Sequence, residues 1–395
     1  MEHNLTLIST IAAGLGLALI CGFLAVKARL PALVGYLAAG IIIGPYSPGF
    51  VADIAIANQL AEIGVMLLMF GVGLHFSVED LLAVRRISLP GAVAQIATAT
   101  VLGAVISHFW GWTWGEGLVF GLALSCASTV VLIKALDRKG ITDTVNGRIA
   151  IGWLIVEDLA LVLVLVLLPP LAVLLGGNID PAHAASDRSV FLTIVITLGK
   201  VAAFIAFMLI IGKRLFPWLL WQSAKTGSRE IFTLCVVALG VGVAYSAGVL
   251  FGVSYALGAF FAGMVLRGSD LSYRAAEESL PLRDAFSVLF FVSVGMLFDP
   301  SVLIDEPLKM LAVVGIIIFG KSLASFLIVI VFRYPIKTAL VVSASLAQIG
   351  EFSFILAGLG MTLGLLPAEG NSLILGGAII SIALNPLVFS GIEPM

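Results

Sequence analysis

The sequence predicts an all-α polytopic membrane protein with thirteen transmembrane helices. Of its 395 residues, 61% are hydrophobic and 11% are charged, whereas soluble domains carry roughly 25% charged residues. The apolar runs are long enough to cross the roughly 30 Å of a bilayer. Because backbone groups in lipid must be paired within their own segment, these runs are predicted to be helical. The composition therefore excludes a water-soluble protein.

Thirteen apolar runs follow one another, and we treat residues 1–395 as a single transmembrane domain. The first run is predicted to be a membrane span and not a removed signal peptide, because no basic region precedes it and no small-residue cleavage site follows it. The predicted spans lie near 5–26, 30–44, 57–75, 87–108, 116–136, 147–175, 189–212, 229–247, 252–267, 282–298, 308–332, 338–363 and 370–391.

The basic residues indicate the orientation of these spans. Seventeen of the 21 Lys and Arg residues lie in the loops after odd-numbered spans or at the edges of those loops. Only Arg188 and Lys309 lie in, or at the edge of, the loops after even-numbered spans. Cytoplasmic loops carry an excess of Lys and Arg. The sequence therefore predicts an N-terminus outside and a C-terminus in the cytoplasm.

The two halves of the chain resemble each other at an offset of about 222 residues. The matched segments, in order, are 33–44 with 256–267, 67–76 with 289–298, and 125–131 with 345–351. The offset corresponds to seven spans, and because seven is odd the second copy must be inverted in the membrane. Inverted repeats are typical of secondary transporters. We predict repeats at about 5–175 and 229–391, joined by a linker helix at 189–212.

Two spans at corresponding places of the repeats are predicted to be discontinuous helices. Small polar residues lie together in the middle of both spans, where they could bond to backbone groups freed by an unwound turn. Packing between helices is the alternative, since Ser, Thr and Gly are common at membrane helix interfaces. Their matched positions favour two broken helices that cross. The residues concerned are Ser125, Cys126, Ser128 and Thr129 in the first span, and Ser345, Gln348, Gly350 and Glu351 in the second.

Two adjacent acids, Glu157 and Asp158, lie within the apolar segment "GWLIVEDLALVLVLVLLPPL". A charge at the bilayer centre costs about 3 kcal/mol on insertion scales, and intramembrane acids usually mark an ion or proton path. Neighbours on a helix point about 100° apart, so the two acids are predicted to have different roles. Asp158 is predicted to face a water-filled cavity, while Glu157 faces a partner helix that carries Lys321. A purely structural Glu–Lys pair, with Asp158 capped by hydroxyls, is the alternative.

Several functional classes lack support in the sequence. No nucleophile–base set, nucleotide-binding loop or nucleic-acid patch is found, so we predict a transporter and not an enzyme, without a cofactor. Two rival transport functions remain open, namely a regulated K⁺ channel-like efflux protein and a symporter for an organic solute. Channels usually show rings of carbonyls or charges, and a symporter would need more polar residues near the breaks.

The motifs that carry a family resemblance extend along the whole chain. They are "LVGYLAAGIIIGP", "LLMFGVGLHF", "GWLIVEDLALVL", "LPLRDAFSVLFFVSVGMLFDP", "FGKSLASF" and "SLAQIGEFSFILAG". Together they resemble the Kef-type branch of the cation:proton antiporter-2 family. The resemblance implies an inverted-repeat, sodium/proton-antiporter-like fold with a six-helix core, two crossing discontinuous helices and a separate dimerisation domain. It also implies a homodimer in the lipid bilayer of a bacterial inner membrane.

The resemblance further implies roles for individual residues. Asp158 would bind the monovalent cation and the proton alternately, and Glu157 would pair with Lys321. Gln348 and Glu351 would act as structural or charge partners, while hydroxyls of the first broken helix line the cation site; these are Ser125, Ser128 and Thr129. Kef-type members often carry a neutral Gln at the position of Glu157. This chain has an acid there instead, which bears on the charge moved in each exchange cycle.

The implied function is exchange of K⁺ or Na⁺ for H⁺ by alternating access at a midplane carboxylate. The resemblance favours K⁺. Family members also carry a cytosolic nucleotide-binding regulatory domain after the last span. We expect such a domain as a partner, and it is absent from these 395 residues.

Overall fold

The computed structural model describes residues 2–48, 50–75, 78–142, 144–177 and 190–391, and within these ranges every regular element is helical. In the first half the helices are α1 (Glu2–Lys27), α2 (Ala32–Ile43), α3 (Ile54–His75), α4 (Val78–Phe109), α5 (Trp114–Ser125), α6 (Thr129–Arg138), α7 (Val145–Leu171) and α8 (Val190–Phe207). A π-helical turn, Met208–Gly212, then leads into α9 (Lys213–Lys225).

The second half continues in the same manner. Its helices are α10 (Arg229–Phe251), α11 (Tyr255–Arg267), α12 (Ser272–Met296), the single turn α13 (Val302–Asp305) and α14 (Pro307–Gly315). A π-helical turn, Ile316–Gly320, leads into α15 (Lys321–Val331), which is followed by α16 (Ile336–Ser345), α17 (Glu351–Thr362) and α18 (Ala368–Ser390).

The prediction of an all-helical membrane protein is confirmed, but the count of thirteen spans is not. In the part of the chain that the structure describes, ten helical segments are long and apolar enough to cross a membrane. Four further apolar helices have only 10–17 residues, namely α2, α11, α16 and α17. A helix of that length falls short of the roughly 20 residues that a bilayer requires, so length alone does not identify these four as crossings.

Some helices extend beyond the predicted spans. Lys213 and Arg214 lie within α9, and Arg274 lies within α12, although all three lie between the predicted spans. Hydropathy detects only the apolar stretch of a helix, whereas backbone hydrogen bonding continues past it. Several of the predicted loops are therefore shorter than the sequence indicates.

The chain divides into two compact units. The first consists of Met1–Cys21, Tyr36–Phe76 and Asp187–Met296. The second consists of Gly22–Gly35, Ser77–Ser186 and Leu297–Met395, and it contains both predicted broken helices and the acid pair. Sequence segments from both halves of the chain contribute to each unit.

Within the first unit, two close helix contacts depend on glycines that the sequence alignment of the two halves matches to each other. A methyl group on Gly40 of α2 would lie 2.8 Å from the Cα of Gly295 of α12. A methyl group on Gly73 of α3 would lie 3.1 Å from the Cα of Gly263 of α11. The alignment matches Gly40 to Gly263 and Gly73 to Gly295. The two contacts therefore lie at equivalent positions of the two predicted repeats. Small residues allow such close backbone approach in membranes.

The second unit surrounds the acid pair with apolar side chains. Trp153 of α7 is fully buried and packs with Leu132 of α6, Val342 of α16 and other residues of one cluster. Gly91 of α4 makes room for this ring, because a methyl group there would lie 2.8 Å from Cε3 of Trp153. This packing fixes the face of α7 that carries Glu157 and Asp158.

Candidate functional site

The first broken helix interrupts the chain between α5 and α6. Helix α5 ends at Ser125, Cys126 and Ser128 are extended, and α6 begins at Thr129. The side chain of Ser128 caps α6, since its Oγ accepts a hydrogen bond from the amide of Val131 at 3.3 Å. A Ser cap supplies an acceptor to one of the amides that a helix start leaves without a partner.

The second broken helix has a similar form. Helix α16 ends at Ser345, and α17 begins at Glu351 after extended Gly350. Side chains add hydrogen bonds to the carbonyls at the end of α16, which also accept from backbone amides. Asn385 donates to the carbonyl of Ala344 at 2.9 Å. Ser322 donates to the carbonyl of Ser343 at 3.1 Å. Both breaks lie where the sequence places them.

The two breaks meet at Ser128 and Gln348. The amide of Ser128 donates to Oε1 of Gln348 at 2.9 Å, and Nε2 of Gln348 donates to the carbonyl of Ser128 at 3.1 Å. Gly350 permits this approach, since a methyl group there would lie 2.8 Å from the backbone nitrogen of Ser128. The side-chain amide of Gln348 therefore joins the two broken helices by bonding to both backbone groups of Ser128.

Asp158 lies beside the first break. Its Oδ2 accepts a hydrogen bond from Thr129 Oγ1 at 3.0 Å, and its Oδ1 lies 3.9 Å from Sγ of Cys126. Asp158 is 5% exposed, compared with 0% for Glu157 and 1% for Glu351. Asp158 is thus the most accessible of three buried carboxylates. It accepts a hydrogen bond from the half-buried hydroxyl of Thr129.

Glu157 occupies a different environment from its neighbour, in line with the different facing of adjacent helical residues. Its Oε2 accepts a hydrogen bond from the amide of Ala127 at 3.1 Å, while its Oε1 is buried without a hydrogen-bond partner. The acid therefore satisfies one amide of the unwound segment. The unpaired oxygen marks a place where buried negative charge is incompletely compensated.

Lys321 does not form the direct ion pair with Glu157 that the sequence predicts. Its fully buried Nζ donates to the carbonyl of Gln348 at 3.0 Å. Among the ion pairs of the described residues, none joins it to Glu157. Because the second helix is broken here, the carbonyl of Gln348 is available to accept the hydrogen bond from the Lys321 ammonium. Glu157 and Lys321 nevertheless interact electrostatically. A π-helical turn directly precedes Lys321, a feature often found at functional sites.

Glu351 joins the same group of residues through the first break. Its Oε2 accepts a hydrogen bond from Oγ of Ser128 at 3.1 Å, and it also interacts electrostatically with Asp158. We name Glu157, Asp158, Lys321 and Glu351 the charge cluster. All four side chains are buried at the crossing of the broken helices.

Ser125 is the predicted site residue whose side chain the structure turns away from the carboxylates. Its hydroxyl donates to the carbonyl of Leu122 at 2.7 Å, within its own helix. Its backbone carbonyl instead accepts a hydrogen bond from Gln95 of α4 at 2.8 Å. Ser125 thus lies at the break, but it does not direct its hydroxyl toward Asp158.

Sequence reasoning missed three residues at this site. Cys126 lies between two residues singled out for their hydroxyls, but a contact between its thiol and Asp158 was not predicted. Gln95 and Trp153 lie in long apolar helices, where single polar groups resemble ordinary packing residues. A fully buried Gln among apolar residues was an available signal, because such a group needs hydrogen-bond partners.

A cavity of about 190 Å³ adjoins the second half of the first broken helix. Val130, Val131 and Ala135 of α6 line one wall, and Lys139 lies at the end of that helix. Asn385 and Phe389 of α18 line the opposite side. Val130, the residue after Thr129, lines the cavity, whereas Thr129 and Asp158 are not among its lining residues.

Comparisons with known proteins agree with this architecture. Residues 15–392 match the family described as sodium/hydrogen exchanger, transmembrane. The chain is 59% identical over 394 residues to the putative cation/proton antiporter YbaL of Escherichia coli K12, covering all of this chain and 70% of YbaL. It is 34% identical to K(+) efflux antiporter 4 of Arabidopsis thaliana, covering 93% of this chain and 61% of that protein.

A solved structure supports the same fold. The sodium proton antiporter MjNhaP1 of Methanocaldococcus jannaschii aligns with a TM-score of 0.66 and 17% identity, over 100% of this chain and 99% of that chain. At that identity the likeness concerns the fold alone. The sequence matches go further, and they show that this chain belongs to the sodium/hydrogen exchanger family and, within it, to the Kef-type cation:proton antiporters.

Proposed function

We propose that this chain exchanges a monovalent cation for protons by alternating access, with Asp158 as the carboxylate that binds both. The observation that carries the proposal is the imbalance of the charge cluster. Three buried carboxylates face one buried ammonium, and Lys321 is the only buried Lys or Arg among the side chains that the structure describes. With all four groups ionised the cluster has a formal charge of −2.

Buried negative charge of this kind requires compensation. An uncompensated ion in a low-dielectric interior costs several kcal/mol, so the cluster favours uptake of a proton or a cation. One carboxylate can hold either ligand but not both, because a proton removes the charge that attracts the cation. Asp158 is suited to this role because it is the most exposed of the three acids. Exposing it to each side in turn would couple the two ions in opposite directions.

The crossing of the broken helices supports the same role. Helices α6 and α17 both begin at the charge cluster, and the start of a helix carries a partial positive charge that stabilises carboxylates. Discontinuous helices near the midplane form the ion sites of many secondary transporters. The cavity beside α6 is a suitable access path from the side on which Lys139 lies, which the excess of basic residues predicts to be cytoplasmic.

We propose K⁺ as the preferred cation, with Na⁺ as the alternative. The support comes from relatives named K(+) efflux antiporters, with identities of 34% and 35% over 93% of this chain. The named sodium antiporter is more distant at 17% identity. Na⁺ and K⁺ differ in size, so the preference between them depends on the distances from the cation to the oxygen ligands around Asp158.

We further propose thirteen crossings. Helices α2 and α11 would each supply one, and α16 with α17 would together supply a third, beside the ten longer segments. The exchanged glycine contacts of the first unit support inverted repeats at about 5–175 and 229–391. A homodimer in a bacterial inner membrane, with the N-terminus outside and a cytosolic regulatory domain as partner, completes the proposal.

Transport in proteoliposomes tests the exchange. An outward K⁺ gradient should drive proton entry, and Na⁺ should drive less of it at equal concentration. Valinomycin separates the rivals, because it gives protein-free liposomes the same K⁺ diffusion potential that a K⁺ channel would create. Coupled exchange should then still add proton entry above that of protein-free liposomes, whereas a K⁺ channel adds none. Proton entry no faster than in protein-free liposomes with valinomycin would contradict the proposal.

Replacing Thr129 with Val should weaken cation binding. The substitution keeps the volume but removes the hydroxyl that donates to Asp158 at 3.0 Å, a bond to a charged group worth about 1.5–3 kcal/mol. We expect the apparent KM for the cation to rise about tenfold. Thr362→Val, at the exposed end of α17, is a matched control because its hydroxyl bonds only within its own helix. An unchanged KM in Thr129→Val would exclude a role of this hydroxyl in the site.

A further inference from the structure

A buried amide from α4 holds the end of α5 at the first break. Gln95 is 0% exposed, and its Nε2 donates to the carbonyl of Ser125, the last residue of α5, at 2.8 Å. Its Oε1 accepts a hydrogen bond from Nε1 of Trp153 on α7 at 3.1 Å. Both ends of the amide are therefore in use, and they connect three helices.

The indole fixes which end of the amide faces the break. A Trp Nε1–H group can only donate, so it must face the amide oxygen of Gln95. The amide nitrogen is then directed at the carbonyl of Ser125, which can only accept. Without Trp153 the amide could rotate and present its oxygen to that carbonyl, and the bond would be lost.

The carbonyl of Ser125 needs such a donor. The last carbonyls of a helix have no partner within it, and in a membrane each unpaired group costs several kcal/mol. Ser125 Oγ satisfies the carbonyl of Leu122, while Gln95 satisfies the carbonyl of Ser125 itself. The break therefore stays in place without a charged residue on this side.

The second break is held by a charged group in a comparable position. Lys321 begins α15, the helix before the broken pair α16 and α17, just as α4 precedes α5 and α6. Its Nζ donates to the carbonyl of Gln348 at 3.0 Å. One break is thus held by a neutral donor and the other by an ammonium.

Gln95 is also connected to the carboxylates through α7. Trp153 lies one turn before Glu157, whose Oε2 binds the amide of Ala127. Helix α7 therefore holds the unwound segment on both sides of Cys126, through Trp153 and Gln95 at Ser125 and through Glu157 at Ala127. The position of Thr129 against Asp158 depends on this segment.

We propose that Gln95, oriented by Trp153, is a positioning residue for the cation site. It fixes the end of α5, and so places the segment 126–128 and Thr129 for binding of the cation by Asp158. Because Gln95 is neutral, the formal charge of the cluster stays at −2, whereas a second ammonium would reduce it to −1. This inference rests on the proposed function, since it concerns the site of the same cation.

Gln95→Leu and Trp153→Phe test the proposal, with apparent KM and kcat measured in proteoliposomes. Loss of the amide should raise the KM for K⁺ about tenfold and change kcat less than threefold, because the site is displaced but Asp158 remains. Trp153→Phe should raise the KM about threefold, since the amide stays but loses its orientation. A merely structural residue would lower the active fraction and leave the KM unchanged.

Direct cation binding supplies a readout independent of transport, namely the K⁺ concentration that gives half of the thermal stabilisation in detergent. Thr98→Val is the matched control, because it removes a side-chain hydrogen bond of α4 that lies away from the break. If the unaltered protein neither binds nor exchanges K⁺ or Na⁺, the proposed function fails. If it does both, and the two variants bind K⁺ like the control, the role of Gln95 is overturned. Should Gln95→Leu not fold, Gln95→Met takes its place, because Trp153→Phe also removes the interaction of the indole with Glu157.

Discussion

Asp158→Asn is expected to reduce cation-driven proton movement to the level of protein-free liposomes. The amide keeps the shape and can still accept the hydrogen bond from Thr129, but it can neither release a proton nor carry the charge that attracts a cation. In the charge cluster the formal charge changes from −2 to −1. The protein should remain folded, because removing a buried charge relieves a desolvation cost. Proton flux and thermal stability are measured on the same preparation.

Two matched variants make this result specific. Glu369→Gln removes a carboxylate outside the cluster, where Glu369 binds Lys309 at 2.6 Å, and it should leave exchange intact. Asp158→Glu keeps the charge but lengthens the side chain, so part of the activity should remain at a changed KM. Substantial cation-driven flux in Asp158→Asn would transfer the role of ion carrier to Glu351 or Glu157.

The broken helices could be predicted because the sequence carries two independent signals for each. Small polar residues interrupt apolar runs, and the repeat matches Ser125 to Ser345 across the halves. The contacts at the crossing could not be predicted in the same way. The pairing of Gln348 with both backbone groups of Ser128 joins residues 220 positions apart, and no local pattern indicates which freed group each side chain bonds.

The hydrogen-bond partner of Lys321 likewise could not be predicted from the sequence. Charge balance predicts a carboxylate as its partner, because one cation and one acid on neighbouring helices would neutralise each other. The structure gives it the carbonyl of Gln348 instead, since an unwound turn places a strong acceptor nearby. Charge patterns thus identify the buried ionisable groups, whereas the backbone geometry of the break decides which atoms they contact.

The other large effect is expected from Lys321→Ala. This change removes the donor to the carbonyl of Gln348, and with it the only buried ammonium among the side chains that the structure describes. A buried carboxylate and a buried carbonyl are then left without compensation. Breaking a buried charged pair costs about 3–5 kcal/mol, and we expect a loss of unfolding free energy of that order. Glu157→Gln should cost less, since the amide can still accept the hydrogen bond from Ala127. Thermal unfolding in detergent, with and without K⁺, measures both changes.

The double variant decides whether Glu157 and Lys321 act together despite the absence of a direct ion pair. If their through-space interaction stabilises the fold, the double variant recovers part of the loss, because neither charge is then left without the other. Double-mutant coupling of about 0.5–3 kcal/mol would be typical of interacting residues. Exchange should persist in the double variant, because Asp158 and its bond to Thr129 are unchanged. Strictly additive losses would mean that Lys321 serves the carbonyl of Gln348 alone. Glu157 would then compete with Asp158 for the proton or the cation, and the separate roles that we propose for the two adjacent acids would be wrong.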